Sequence, residues 1–438
     1  VKQIIEPSII KGVIEPPASK SLTQRAFAAA LIKNGTSIIH QAGNSNDEKA
    51  ALEIIQQLGA TIKTENNQLH VQSKGFNAST HILNTNINCL ESGLCLRMFT
   101  PILALHNTTI NITGSGSLLN RPIHFFDDVL PLLNVQVTTT NGKLPLQIKG
   151  ALIPKNIEVD GSISSQFLSG LIFAYAAYLV NEKNTLAPNF SYTIHVNNLT
   201  SKPYIDLTLQ VLKDFGLPVP QNNHYTDFTF NQHSFGRENK TIIQYQVESD
   251  WSNMAFLLVA AAIAGNITIK NINLNSLQAD KEILNVLKSC GANFSIHNNE
   301  ISITNSTLQA FSFNATDCPD LFPPLVALAA YCNGTSIIKG VNRLIYKESN
   351  RCKSLQEEFC KMGVNIVIEN DSMIITGSNK IIGANIQTHQ DHRIAMACAV
   401  AALQANGITV INESEVVQKS YPMFFQHLKL LGANIFEG

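Results

Sequence analysis

Two patterns of apolar residues alternate along the chain. Alanine-rich runs, such as 26–32 and 255–264, carry a polar cluster in front and an Asn-Gly pair or a glycine behind. Alanine-rich apolar runs of this kind predict helices. A short alternating segment follows each one: "NGTSII" from Asn34 and again from Asn333, "GNITI" from Gly265 and "NGITV" from Asn406. Period-two alternation predicts strands there. After about two dozen more residues a second, amphipathic run stops at a glycine, in "QQLGAT", "LKSCGANF", "CKMGVNI" and "LKLLGANI". Glycine supplies the left-handed residue that ends a helix.

The stop glycines Gly216, Gly291, Gly363 and Gly432 recur at roughly 70-residue intervals, the mark of an internal repeat. Each unit reads as polar cluster, helix, strand, helix and a strand pair. With the more divergent units near Leu90 and Val159, the chain holds six. The sixth reaches Gly438 before its closing strand, while a spare strand-like stretch, 2–5, opens the chain. The amino-terminal strand is therefore expected to complete the last repeat. That arrangement predicts two lobes of three repeats: residues 18–245, and residues 1–17 with 246–438. The chain would pass between them twice, near 15–19 and near 244–247, which makes a hinge.

Composition narrows the function. Hydrophobic residues make up 45% of the 438 positions and charged residues 14%, with a net charge of -1. Any basic patch is local, which argues against nucleic acid as a partner. No apolar run approaches a membrane span, and the first residues lack the apolar core of a signal peptide, so a cytoplasmic enzyme is expected. The eight scattered cysteines form no CxxC pair and no zinc spacing, and neither a metal nor a cofactor is expected.

The six predicted helix starts read "SKSLTQR", "ESGLCLR", "GSISSQF", "ESDWSNM", "DCPDLFP" and "HQDHRIA". Helix starts expose unpaired N–H groups and favour anions. Capping explains a serine or aspartate at each. It does not explain Arg25, Arg97 and Arg393, cations where the helix dipole opposes them unless an anion intervenes. Arg121, Lys202, Lys347, Arg351 and Lys419 add further cations, each between a unit's strand and its second helix. Trp251, the one tryptophan, lies at a helix start and is expected to face the anion site.

These segments, from "SKSLTQRA" through "GSISSQFL", "SKPYID", "KESNR" and "DHRIAMA" to "QKSYP", resemble the 5-enolpyruvylshikimate-3-phosphate synthases over essentially the whole chain. The resemblance implies an α/β fold, a two-lobed inverse α/β barrel of six βαβαββ repeats, with substrates in the cleft between lobes. It implies transfer of the enolpyruvyl group of phosphoenolpyruvate to shikimate 3-phosphate by a monomeric enzyme without nucleic-acid or membrane partners. Shikimate 3-phosphate would be held by Ser164, Ser165 and Ser201 at its phosphate and by Ser21 and Arg25 near its carboxylate. Lys20, Tyr204, Asp320, Arg343 and Lys347 complete that pocket. Phosphoenolpyruvate would meet Lys20, Arg121 and Gln166 at its phosphate and Arg351 and Arg393 at its carboxylate. Lys419 would be near both, with Gly93 leaving room.

A hydroxyl that adds to C2 of an enol ether needs a base at the hydroxyl and an acid at C3. The expected catalytic residues are Asp320 as base, Glu348 as the C3 proton donor and acceptor, and Lys20 beside the departing phosphate. The chain departs from the family pattern in places: the loop that often reads Asn-Ala-Gly-Thr-Ala-x-Arg-Pro is Glu91-Ser92-Gly93-Leu94-Cys95-Leu96-Arg97-Met98, Gln390 opens the motif usually read Asn-Asp-His-Arg, and Arg343 stands for an asparagine. Glyphosate, which competes with phosphoenolpyruvate in this family, is expected to bind less well here. Two alternatives are the sister enzyme acting on UDP-N-acetylglucosamine, which carries a reactive cysteine, and a non-catalytic anion-binding homologue.

Overall fold

The computed structural model describes residues 1–66, 68–236, 241–378 and 380–438. The chain divides into two compact units, Val1–Pro17 with Glu248–Gly438, and Ala18–Val247.

In the unit Ala18–Val247, three four-stranded sheets share one plan. The strand Asn86–Asn88 runs parallel to Thr109–Thr113, which pairs antiparallel with Lys143–Lys149, and Gln136–Thr140 closes the edge. Ile157–Asp160, Ser191–Asn197, Asp227–Asn231 and Gln221–Asn223 repeat the order. In the first sheet the parallel strand beside Asn34–His40 is Ile242–Gln246, from the far end of the unit. The sequence pattern does not foresee that return, because a strand's partner is a long-range choice.

The other unit has the same plan with two loans from the amino terminus. Ile10–Ile14 lies parallel to Gly265–Ile269. Gln3–Ile5 sits between Thr409–Ile411 and Ile435–Glu437, antiparallel to both, and so completes the last repeat. The stop glycines have the left-handed backbone their place requires, with φ of +64° at Gly216, +75° at Gly291, +81° at Gly363 and +98° at Gly432.

Each unit's core is a trio of first helices. Lys20–Ile32, Gly93–Leu103 and Ser165–Glu182 pack pairwise in one, and Trp251–Ala264, Phe322–Ala330 and His392–Ala402 in the other. Alanine and glycine bring the backbones close. A Cβ on Gly170 would lie 2.5 Å from the Arg97 carbonyl oxygen and 2.9 Å from that of Met98, and backbone cannot step aside. That crossing fixes Arg97 beside the start of the helix Ser165–Glu182. Five of the six starts carry a side-chain cap: Ser19, Ser92, Ser164, Asp250 and Asp391 each accept a backbone N–H. The sixth differs from expectation. At "DCPDLFP" a 3₁₀ turn, Pro319–Leu321, precedes the helix Phe322–Ala330, so Asp320 lies in the turn and is free to point away from the helix axis. Among the described residues, no helix is long and apolar enough to cross a membrane.

Candidate active site

The unit Ala18–Val247 gathers its expected residues around three helix starts. Lys20 opens its helix and donates to Asp47 Oδ2 at 2.8 Å. Arg25, one turn on, is completely buried. Its Nε donates to Thr208 Oγ1 at 2.9 Å, Nη1 to the carbonyl oxygen of Ser21 at 3.0 Å and its hydroxyl at 2.5 Å, and Nη2 to Ser169 Oγ at 3.5 Å and the Tyr204 carbonyl at 3.3 Å. All five N–H directions are thus used on neutral oxygens, and among the described residues no carboxylate bonds this guanidinium. Burial pulls its pKa down to about 10. Arg25 therefore supplies uncompensated positive charge and fixes Ser21 and Tyr204, rather than offering an N–H of its own.

Ser164 caps its helix by accepting from Gln166 N at 3.3 Å, and Ser165 beside it is buried. Gln166 Oε1 accepts from Arg97 Nη1 at 2.9 Å, and the Arg97 guanidinium lies 5.1 Å from the centre of the Phe167 ring. Arg97 thus holds the Gln166 amide with its NH₂ turned away. Arg121 is buried, and a Cβ on Gly93 would lie 2.5 Å from its Nη1, so only glycine leaves that guanidinium its place. Ser201 has a left-handed φ of +55°, uncommon outside glycine, asparagine and aspartate and typical of strain kept for function.

The second unit holds a denser cluster. Asp320 Oδ1 accepts from Arg351 Nη1 at 3.0 Å and Lys347 Nζ at 3.4 Å, and Oδ2 from Arg393 Nη2 at 3.1 Å. Arg351, completely buried, also gives Nη2 to Glu348 Oε2 at 2.5 Å and clasps Asp391 through Nε at 2.9 Å and Nη2 at 3.1 Å. Asp391 accepts as well from Ser349 Oγ at 3.2 Å and Arg393 N at 3.0 Å. Lys419 is buried and donates to the Gln390 carbonyl at 2.8 Å, just after two left-handed residues, His389 at φ +51° and Gln390 at +57°. Arg343 is half-buried in the 3₁₀ turn Val341–Leu344.

Electrostatics follow from these pairs. Burial alone would raise the Asp320 carboxyl, but Arg393, Lys347 and Arg351 outweigh it and hold it far below the usual carboxylate range. Burial would lower Arg351, and Asp391, Glu348 and Asp320 lift it above its ordinary value instead. Lys347 ends lowered, its burial exceeding the pull of Asp320.

Sequence reasoning misses the counter-ions. Asp47 looks like an ordinary first-turn acid of the helix Asn46–Gln57, and Asp391 like a cap. Trp251 opens its helix, yet it is completely buried with its indole N–H on the Asn273 carbonyl at 3.3 Å, so it does not face a ligand. Cys95, on which the UDP-sugar alternative turns, is buried in the helix Gly93–Leu103, gives its thiol to Gln24 Oε1 at 3.3 Å, and is pushed well above its ordinary pKa by burial. It is a poor nucleophile. Among the described residues, one grouping, Glu357, Glu358 and His389, has a spacing that suits a metal. Glu358 is already closed by Lys361 at 2.7 and 2.8 Å, Gln387 N at 3.0 Å and His389 at 2.7 Å.

Residues 4–428 match the EPSP synthase family, 3-phosphoshikimate 1-carboxyvinyltransferase. A relative of that name from Clostridium kluyveri is 33% identical over 433 residues, covering 99% of this chain and 98% of its own length. One from Clostridium perfringens is 35% identical and covers 98% of each chain. A solved EPSP synthase structure from Acinetobacter baumannii matches with a TM-score of 0.79 at 25% identity, over 100% of this chain and 99% of that one. Fold, repeat plan and near-complete coverage agree, and the chain belongs to the EPSP synthase family.

Proposed function

We propose that the chain transfers the enolpyruvyl group of phosphoenolpyruvate to the 5-hydroxyl of shikimate 3-phosphate, releasing phosphate. The observation that carries this reading is a pair of carboxylates, Asp320 and Glu348, on one buried guanidinium, Arg351, with Arg393 and Lys347 on the same Asp320. A base and a proton donor stand next to cations able to hold an anionic substrate.

In the first step the hydroxyl oxygen bonds to C2 while Asp320 takes its proton and Glu348 delivers a proton to C3. In the second, the C2–O bond to phosphate breaks, C3 returns its proton to Glu348, restoring the double bond, and the departing phosphate carries off the proton that Asp320 took. Arg351 and Arg393 hold the phosphoenolpyruvate carboxylate; Lys20, Arg121 and Gln166 hold its phosphate, with Gly93 leaving room and Lys419 near both groups. Lys20, aimed by Asp47, meets the charge that grows on the leaving phosphate. Ser164, Ser165 and Ser201 hold the phosphate of shikimate 3-phosphate. Ser21 and the charge of Arg25 hold its carboxylate, and Tyr204, Arg343 and Lys347 complete the pocket. The enzyme acts as a monomer in the cytoplasm, consistent with eight free cysteines; light scattering tests the first point.

Phosphate release from phosphoenolpyruvate with shikimate 3-phosphate as acceptor tests the activity. Release with UDP-N-acetylglucosamine in its place, or with neither, would overturn the reading.

A further inference from the structure

Asp280 lies in the 3₁₀ turn Ala279–Glu282 and is buried, 1% exposed. Its Oδ2 accepts from the Ser252 hydroxyl in the first turn of the helix Trp251–Ala264. Its Oδ1 is buried with no hydrogen-bond partner, and among the described residues no cation pairs with this carboxyl. The turn is pinned there: Gln278 Oε1 accepts from Trp251 N at 3.0 Å and Gln278 Nε2 donates to the Ser249 carbonyl at 2.8 Å. Lys281, the neighbouring cation, is spent on the carbonyls of Leu274 and Ser276 at 3.0 and 2.9 Å. Glu282 Oε2 is held by Asn285 at 2.6 Å.

The charged groups that face Asp280 come from three other elements. Asp320 belongs to the turn Pro319–Leu321, Arg393 to the helix His392–Ala402, and Asp250 caps the helix Trp251–Ala264; Cys318 is the remaining titratable neighbour. Two of these, Asp320 and Arg393, stand in the proposed chemistry.

We propose that Asp280 is a positioning residue for this reaction: a buried acid that never touches substrate and whose charge sets how strongly Arg393 attracts an anion and how basic Asp320 is. The inference rests on the proposed activity and roles. A lone carboxyl with one hydroxyl donor and one empty buried oxygen has little to hold it ionised. Burial, and then the charge of Asp320, raise it to about 7, against the pull of Arg393 and Ser252. It therefore changes charge within the working pH range.

The sign follows from that. Below neutrality Asp280 is neutral, and Arg393 shares its charge with Asp320 and Asp250 alone of these acids. Above it, ionised Asp280 takes part of the Arg393 field, so the phosphoenolpyruvate carboxylate is held less well and the Michaelis constant rises. Asp320, with another anion beside it, becomes a better base, so kcat does not fall with binding. A coupling of one pKa unit corresponds to roughly a tenfold change in KM.

Steady-state kinetics across about pH 6 to 8.5 test it. In the wild type, KM for phosphoenolpyruvate should rise roughly tenfold through an inflection near neutrality, with kcat holding or rising. Asp280→Asn, neutral at every pH, should keep the low-pH KM throughout. Ser252→Ala removes the donor that favours the ionised form and should move the inflection to higher pH, which keeps the test alive if the first variant folds poorly. Retention of the wild-type inflection in Asp280→Asn, an unmoved inflection in Ser252→Ala, or a wild-type KM that ignores pH would each overturn the inference. Absence of phosphate release at every pH in the wild type would overturn the activity beneath it.

Discussion

Replacing Asp391 with asparagine keeps the side chain's volume and one oxygen but removes the charge that faces Arg351. Both groups are completely buried, joined by bonds of 2.9 and 3.1 Å. The asparagine oxygen can accept one of these; its NH₂ then meets a guanidinium N–H, donor against donor. Removing one side of a buried ion pair costs about 3–5 kcal/mol, because the remaining charge is left uncompensated. Glu348 and Asp320 still face Arg351, which places this variant near the lower end, about 3 kcal/mol. For a folding unit of this size each kcal/mol lowers the transition by roughly 2–4 °C, so calorimetry should show a fall of roughly 6–12 °C. The cap on Arg393 N survives in asparagine, so the helix His392–Ala402 keeps its start. Kinetically, Arg351 loses one of the anions that share its charge and has more of it for a ligand. KM for phosphoenolpyruvate should fall while that for shikimate 3-phosphate stays near the wild type. A transition lowered by under about 2 °C, together with an unchanged KM for phosphoenolpyruvate, would show that Asp391 is not the counter-ion that matters.

Lys20→Met should abolish most of kcat, whereas Ser165→Ala should mainly raise KM for shikimate 3-phosphate, since Lys20 meets charge that grows in the transition state and Ser165 a phosphate that does not change; initial rates with each substrate varied separate the two. Glu48 is buried and raised by burial to about 7, against about 4.3 unfolded, so its stabilising protonation is complete below the unfolded value and is lost as pH rises through about 7. Glu48→Gln, which still suits the capping box at Ser45, should gain up to roughly 3 kcal/mol on the wild type between about pH 5 and pH 8, and equal melting shifts in both proteins would contradict this. Glyphosate should inhibit the wild type less than a Leu94→Thr variant, because the bulkier neighbour shifts the turn that lets Arg121 lie against Gly93; equal inhibition constants against phosphoenolpyruvate would exclude Leu94 as the cause.

The repeat is legible because its signals are local. A helix-ending glycine, an alternating strand and a serine or aspartate cap each act within a few residues, and four stop glycines do take the left-handed backbone. The placement of Gln3–Ile5 follows from counting strands per unit. The loan of Ile10–Ile14 and the return of Ile242–Gln246 do not, since any exposed parallel edge could accept either strand. At the site, the cations stand out in the sequence because helix starts disfavour them. Their partners do not. Asp47 is 27 residues from Lys20, Asp391 is 40 from Arg351, and Asp320 is 73 from Arg393, and an acid in a first turn is ordinary wherever it occurs. The acceptors that fix Arg25, hydroxyls and carbonyls from four other residues, are likewise invisible in the sequence.

The counter-ions bear on the base role proposed for Asp320. Locked between Lys347, Arg351 and Arg393, its carboxyl is held far below the usual range and would take no proton from a hydroxyl. These cations are shared among Asp320, Glu348 and Asp391. A substrate carboxylate held, as proposed, on Arg351 and Arg393 adds one negative charge to that cluster. Each cation then shares its field with another anion, and the affinity of Asp320 for protons rises. On the proposed roles, Asp320 becomes able to accept the hydroxyl proton when phosphoenolpyruvate binds. A site built this way keeps its base quiet until the group that must be protonated is present, so the binding contacts themselves switch on the chemistry.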